Sequence, residues 1–267
     1  VYDTYNKIKQ EVNKMQLLKF SKVNQKLDKL ALEVHKKQDW YPQVYSVSIP
    51  SGRPETCPYA DKCKAYVGSD GKIVSRDDYI DYRCYSASME AVYPAQLKQR
   101  NYNFELLKAC NNDRHELMNL INASIPIEAH IIRIHVGGDF YSQNYFDAWL
   151  NVAMLNRNKR FYAYTKSLPF WVKRLDSIKL GEYQNMELIA SRGGTKDKLI
   201  NVYGLREAIV VDTEKEAEDK GLEIDYTDYI ACYGKGSFAL LNHGVQPKRI
   251  NQRIKNKKTI DIKPKIV

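Results

Sequence analysis

Residues 130–165 read HIIRIHVGGDF, YSQNYFDAWLNVAMLNRNK and RFYAYT, and this stretch decides the fold. The first seven residues are an apolar, β-branched run without strict alternation, closed by Gly137 and Gly138. The middle reads as a helix over residues 143–156, and the last six return to a strand pattern. A strand with no polar face is buried on both sides. Two such strands joined through a helix are parallel neighbours in an α/β sheet.

The same unit recurs along the chain. Strands are expected at residues 44–49, 130–136, 160–165, 186–190 and 207–211. Helices are expected near 88–110, 113–122, 143–156, 169–178, 196–203 and 214–220. The spacing predicts an α/β fold with a largely parallel sheet, arranged as an open or partial (βα) barrel. Residues 1–38 read as an N-terminal helix, with Leu17, Phe20, Val23, Leu27, Leu30 and Val34 along one stripe and lysines around the rest. Three regions follow: a helical extension over 1–40, an α/β core over 41–245, and a basic C-terminal tail over 246–267. The tail shows no clear period. It is either an arm packed on the surface or a disordered segment that binds nucleic acid.

Composition narrows the class. The chain has 267 residues, 43% hydrophobic and 28% charged, which suits a globular protein. No run approaches the ~18 consecutive apolar residues of a membrane span. The first twenty residues, VYDTYNKIKQEVNKMQLLKF, lack the apolar core of a secretory signal. Five cysteines are too few for a disulfide scaffold, so a reducing, cytoplasmic compartment is expected, with thiols, metal ligands or buried hydrophobes. A net charge of +10 makes nucleic acid a candidate partner, although the lysine bias of an AT-rich genome explains the same charge without one.

Parallel sheets hold ligands beyond the carboxyl ends of their strands. After the first expected strand come Cys57 and Cys63, with Cys84 further on; after the second come Gly137, Gly138 and Asp139. After the third comes Lys166, after the fourth Ser191-Arg192-Gly193-Gly194, and after the fifth Asp212. Three thiolates can hold zinc with a fourth ligand, or a cubane cluster with one iron left open; they can equally be buried cysteines without metal. The glycines allow a ligand close to the backbone, and Asp139 either receives an ammonium or ribose hydroxyl or caps the following helix. Ser191 and Arg192 suit a carboxylate or phosphate, or form a plain loop. Cys110 closes an apolar helical pattern and reads as core, whereas Cys232, in ACYGKGSF, is the best candidate for a fourth ligand. His130 and His135 read as core or helix-facing residues, and His243 as a loop residue able to reach the site. Nucleic-acid contact is expected at Lys248, Arg249, Arg253, Lys255, Lys257 and Lys258, with the 20 tyrosines as stacking surfaces.

TCPYADKC (56–63), RCYSASMEAVYP (83–94), IRIHVGGDFYSQNYFDAW (132–149), FYAYTKS (161–167) and SFALLNHGVQP (237–247), in that order, resemble the phage family called gene product 88. The likeness spans roughly residues 45–247 and implies a phage or prophage source, in a bacterial host cell. A more distant likeness is to radical S-adenosylmethionine enzymes. They carry three cluster cysteines after the first strand of a partial barrel and a glycine-rich acidic motif after the second. By that likeness Cys57, Cys63 and Cys84 hold an iron–sulfur cluster, and Gly137, Gly138, Asp139, Lys166, Ser191 and Arg192 contact S-adenosylmethionine. The spacing departs from the family's compact CxxxCxxC, since Cys63 and Cys84 are twenty-one positions apart. The leading expectation is an iron–sulfur, radical S-adenosylmethionine-like enzyme acting on or near nucleic acid. Its rivals are a non-catalytic nucleic-acid-binding protein with structural zinc at the same cysteines, and a metal-independent nucleotide-handling enzyme using Asp139, Lys166 and Asp212.

Overall fold

The computed structural model describes residues 16–22, 25–75 and 79–262. Six strands form one sheet in chain order: β1 (Val44–Val47), β4 (Ile131–Ile134), β5 (Arg160–Thr165), β6 (Met186–Ser191), β7 (Glu207–Val211) and β8 (Phe238–Leu241). Every neighbouring pair is parallel. Among the described residues no ladder joins β1 to β8, so the barrel is open. The remaining strands, β2 (Ala65–Val67) and β3 (Ile73–Ser75), make an antiparallel hairpin within the β1–β4 connection. Eleven helices are described: α1 (Gln25–Gln38), α2 (Tyr85–Val92), α3 (Pro94–Ala109), α4 (Arg114–Ser124), α5 (Gln143–Leu155), α6 (Leu168–Val172), α7 (Leu175–Lys179), α8 (Lys198–Tyr203), α9 (Glu214–Asp219), α10 (Tyr229–Tyr233) and α11 (Lys248–Ile262).

Alternate residues of β1, β4, β5 and β6 enter two separate cores, while β7 and β8 join the inner one and a small third cluster of Val211, Ala217 and Ala239. Ile132, Ile134, Phe161, Ala163, Leu188 and Ala190 pack with Tyr145, Phe146 and Trp149 of α5. The opposite set, Val44, Ile131, Tyr162, Ile189, Ala208 and Phe238, packs with Leu27, Leu30 and Val34 of α1 and with Ala231 and Cys232 of α10. Leu30 and Val34 are fully buried there, each worth about 1.5–3 kcal/mol by area alone. Most of these contacts lie toward the amino ends of the strands, with Ile189 of β6 the deepest. The inner face is thereby filled at its amino end and left open at its carboxyl end.

Three parts differ from the sequence expectation. Residues 1–15 of the expected N-terminal helix lie outside the described residues. Within the rest, α1 starts only at Gln25, and residues 16–22 are not helical. Ser21 instead forms an antiparallel bridge with Ser46, its N–H donating to the Ser46 carbonyl at 2.8 Å and its carbonyl accepting at 2.9 Å. The segment covers the backbone that edge strand β1 would otherwise expose, and that gain overrides the helical pattern. The helix expected over 88–110 is two helices, broken at Tyr93-Pro94. Proline disfavours helical geometry in the residue before it but starts a helix readily at its first position.

The C-terminal tail is the third difference. Of its two readings the packed arm is the one found, and it is helical. Arg249, Arg253 and Lys257 recur every fourth residue and face the body. Arg249 donates to the Ile80 carbonyl at 2.7 Å, and Arg253 donates to the Asp81 carbonyl at 2.7 Å and to Asp212 at 2.8 Å. Lys257 pairs with Asp212 and Glu216, both at 2.9 Å. Thus α11 straps the segment before Cys84 to the end of β7.

Burial acts to raise the Asp212 carboxyl, but Arg253, Lys257 and Asn242 outweigh it and hold the group below its ordinary value. A depressed carboxyl contributes stability above its unfolded value near pH ~4 and loses it as pH falls further. Hydrogen-exchange protection of residues 249–258 should therefore persist from neutral pH to about 4 and fall below it. Asp212→Asn should lower that protection from neutral pH down to about 4, and the two proteins should converge below it. Equal protection in both proteins at neutral pH would show that the ion pairs do not hold the helix.

Candidate active site at the strand ends

A cavity of about 540 Å³ opens beyond the carboxyl ends of the sheet strands. Cys57, Cys63 and Cys84 line it together with Gly137, Gly138, Asp139, Lys166 and Ser191. Arg192 is not on its wall. The three cysteines converge because the chain doubles back between them. The β2–β3 hairpin takes up the long interval, and the Cys84 N–H donates to the Cys63 carbonyl at 3.2 Å. Gly52, at φ +70°, lets the loop pass β2 where a Cβ would run into the Ala65 carbonyl, and its N–H donates to the Cys57 sulfur at 3.3 Å.

The cysteine loop is laced to the loop after β6. The Lys62 N–H donates to the Gly193 carbonyl at 2.9 Å, the Thr195 N–H to the Tyr59 carbonyl at 2.9 Å, and the Tyr82 hydroxyl to the Arg192 carbonyl at 3.2 Å. The Lys166 ammonium, almost wholly buried, donates to Ser191 Oγ at 2.7 Å and to the Ser191 and Arg192 carbonyls, each at 3.0 Å. Burial works against its charge, but Tyr82, Cys63 and Asp139 raise it above an ordinary lysine. Arg192 turns away to Glu207, donating from Nε at 2.5 Å, and the Gly193 and Gly194 amides are taken by the Asp197 carboxylate at 2.7 and 2.9 Å. The donors that suggested an anion cradle are thus engaged within the chain.

Asp139 is the junction of the site. Its Oδ1 accepts from Thr165 Oγ1 at 2.6 Å and from the Phe140 N–H at 2.7 Å, and its Oδ2 accepts from the Lys166 N–H at 2.8 Å. Its own N–H donates to the Thr56 carbonyl at 2.8 Å, beside Cys57. Burial raises the carboxyl despite these donors. Asp139 does not cap α5; Ser142 does, accepting from the Tyr145 N–H. Gly137 and Gly138 give room for neighbours inside the protein. A Cβ at Gly137 would strike Ser51, Ser86 and Arg100, and one at Gly138 would strike Ile49.

Burial pushes the Cys57 thiol well above its usual range, with Asp139 and Cys84 adding to the rise, and burial together with Cys63 pushes Cys84 up to about 11. The pocket therefore disfavours bare thiolates. Cys110 lies in the outer core, as expected. Cys232 does not line the cavity and is packed in the inner core, so it is not a fourth ligand there. His130 accepts the Gln43 N–H at the amino end of β4, away from the cavity. His135 lines the cavity at φ +64°, its Nε2 3.0 Å from the Tyr145 hydroxyl, and burial lowers it to about 3. His243 also lines the cavity, its ring 4.6 Å from that of Tyr85. Among the wall residues that escaped the sequence reading are Tyr82, whose neighbours gave no pattern, and Arg133, a lone charge inside the apolar run IIRI that was itself a usable signal. Among the described residues no three His, Cys, Asp or Glu side chains form a group that could hold a metal ion, and no helix is long and apolar enough to cross a membrane.

Fold and site define an open parallel (βα) protein with a cysteine-lined cavity at its strand ends. The sequence profile of the family described as Gene product 88 matches residues 17–260, and the chain belongs to that family. It is 26% identical over 204 residues to the Gene 88 protein of Mycobacterium phage L5, covering 72% of this chain and 70% of that protein. It is 25% identical over 200 residues to the Gene 88 protein of Mycobacterium phage D29, covering 72% and 69%. No solved structure matches.

Asp139→Asn should act on the whole fold. The amide keeps one acceptor but turns an NH₂ toward the Lys166 N–H, a donor facing a donor. The expected loss is about 1–3 kcal/mol, or a fall in Tm of about 2–4 °C per kcal/mol for a chain of this size. An unchanged melting curve would show that these bonds hold nothing in place.

Proposed function

We propose that the protein is an iron–sulfur enzyme of the radical S-adenosylmethionine type, with Cys57, Cys63 and Cys84 as its cluster ligands. One observation carries the reading: three thiols from separate positions line one cavity beyond the ends of parallel strands. The donor set fits a cluster better than a single ion. A cubane gives each thiolate its own iron and leaves the fourth open, whereas structural zinc gathers four donors at about 2.0–2.3 Å around one centre. Cys57 and Cys84 resist ionisation on their own, and a cationic centre would supply the missing charge. When bound, such a cluster with S-adenosylmethionine would supply single-electron chemistry. The chain's own part is to shape the pocket. Gly137 and Gly138 bring backbone to its wall, Asp139 and Lys166 hold the loop ends, and Ser191 contributes a hydroxyl and a carbonyl already oriented by Lys166.

The test is anaerobic purification followed by iron, sulfide and zinc analysis and a visible absorption spectrum. Cys57→Ala, Cys63→Ala and Cys84→Ala should each lose most of the iron, while Cys110→Ala and Cys232→Ala keep it. Absence of iron, or equal retention in all five, would overturn the reading.

A nucleic-acid substrate or partner extends the proposal. Lys248, Lys255 and Lys258 are exposed on α11, while Arg249, Arg253 and Lys257 are engaged with the body. Binding should weaken with salt by a log–log slope of about −0.7 to −0.9 per phosphate contact, and replacing the three exposed lysines by Gln should flatten it. An unchanged slope would remove α11 from any such interface.

A further inference from the structure

The geometry points to Arg133 as the anchor for an anionic group of a small substrate, a carboxylate or phosphate, in the inner half of the cavity. The proposal rests on the cavity being the active site, but not on the cluster. Arg133 projects from the middle of β4, paired in register between Ser46 and Tyr162, and its side chain lines the cavity. Its Nη1 donates to Asp228 Oδ2 at 2.5 Å, and its guanidinium carbon lies 5.2 Å from the centre of the Tyr164 ring. The Tyr162 and Tyr164 hydroxyls also donate to Asp228, at 3.0 and 3.1 Å, so the guanidinium is held in one orientation.

Its Nε is buried and has no hydrogen-bond partner. Asp228 occupies the Nη1 side, which leaves the edge formed by Nε and Nη2. That edge is a fork of two parallel N–H groups, matched to two oxygens of a carboxylate or phosphate. A buried N–H without an acceptor carries a standing penalty, and a ligand oxygen would remove it. Val210, Ile224, Leu240 and Tyr164 form apolar wall around the same space, where a directed bond counts for more than in water. Asp225 also lines the cavity, but its two oxygens accept from the Thr227 and Ala231 N–H groups at 3.0 and 2.8 Å. Lys29 also lines the cavity, and with Arg133 and Lys166 it sets three cationic groups against the carboxyls of Asp139 and Asp225, so the wall tolerates an anion and the fork selects its shape. Arg133 precedes Gly137 by four residues, at most about 13 Å of extended strand. A small molecule held at Arg133 therefore reaches the level of the cysteines.

The test is thermal melting in inorganic phosphate, in acetate and in chloride at equal ionic strength. The expected result is stabilisation by phosphate or acetate over chloride, and the more effective anion identifies the group. Arg133→Lys keeps the charge opposite Asp228 but loses the fork, and should weaken the apparent Kd about tenfold or more. Arg133→Met with Asp228→Asn removes both charges together, which protects the fold from an unpaired carboxylate, and should abolish the effect. No stabilisation by either anion, or the same Kd in wild type and Arg133→Lys, would overturn the assignment. Iron content, measured on the same preparations, separates the two readings. Arg133-dependent anion binding without iron sinks the cluster alone, and iron without anion binding sinks the anchor alone.

Discussion

The Asp139 carboxylate is the point on which the carboxyl end of the sheet depends. It is buried, and three donors from two strand ends reach it: the Phe140 and Lys166 N–H groups and the Thr165 hydroxyl. Its own amide fixes Thr56 and so the loop carrying Cys57. From Lys166 the connection passes through the ammonium to Ser191 and Arg192, and Tyr82 then joins Arg192 to the segment before Cys84. One continuous chain of hydrogen bonds therefore links the ends of β4, β5 and β6 to both halves of the cysteine loop. A buried carboxylate is costly unless its oxygens are satisfied, and the acceptors and donors here are matched nearly one to one.

Charge is buried in pairs elsewhere, with less complete satisfaction: Glu90 Oε2 and Arg133 Nε have no partner. Beneath α2, Glu90 and Arg100 pair at 2.6 Å, both almost wholly enclosed, and Ser51 and Ser86 complete the cluster. In the lumen, Arg133 pairs with Asp228. Replacing such pairs by hydrophobes can leave a protein equally stable, so their value lies in fixing one arrangement of loops around the cavity. Glu90 and Arg100 hold α2 and α3 where the glycines after β4 make room for them. Asp228 holds Arg133 and two tyrosines in one orientation. Polar groups do here what apolar packing does on the outer face.

The C-terminal helix adds an electrostatic closure. Its inward stripe reaches both the cysteine loop and the end of β7, although Ile250 is its only fully buried apolar side chain among the described residues. Gln246 works beside it, accepting the Arg83 N–H at 2.7 Å. The same basic residues that suggest a polyanion partner from composition are thereby divided into those that hold the protein together and those that face outward.

Sequence by itself determined five of the six strands of the sheet. Runs such as HIIRIHV and RFYAYT, apolar on both faces and separated by helical patterns, are sufficient for a largely parallel sheet, because that burial pattern has few other solutions. Of the residues read at the strand ends, Cys57, Cys63, Cys84, Gly137, Gly138, Asp139, Lys166 and Ser191 line one cavity. Tertiary structure alone decided what each group faces. Arg192 turns to Glu207, Asp197 fills the glycine amides, and Cys232 sinks into the inner core, because pairing partners far away in the chain set side-chain direction. Residues 16–22 follow the same rule, taking an extended form to cover β1 although their pattern suits a helix. Short β8 and the basic tail were illegible for a related reason. Four residues carry too little periodicity to declare a strand, and a helix held by ion pairs shows its regular spacing only once Asp212 and Glu216 are known to lie beside it.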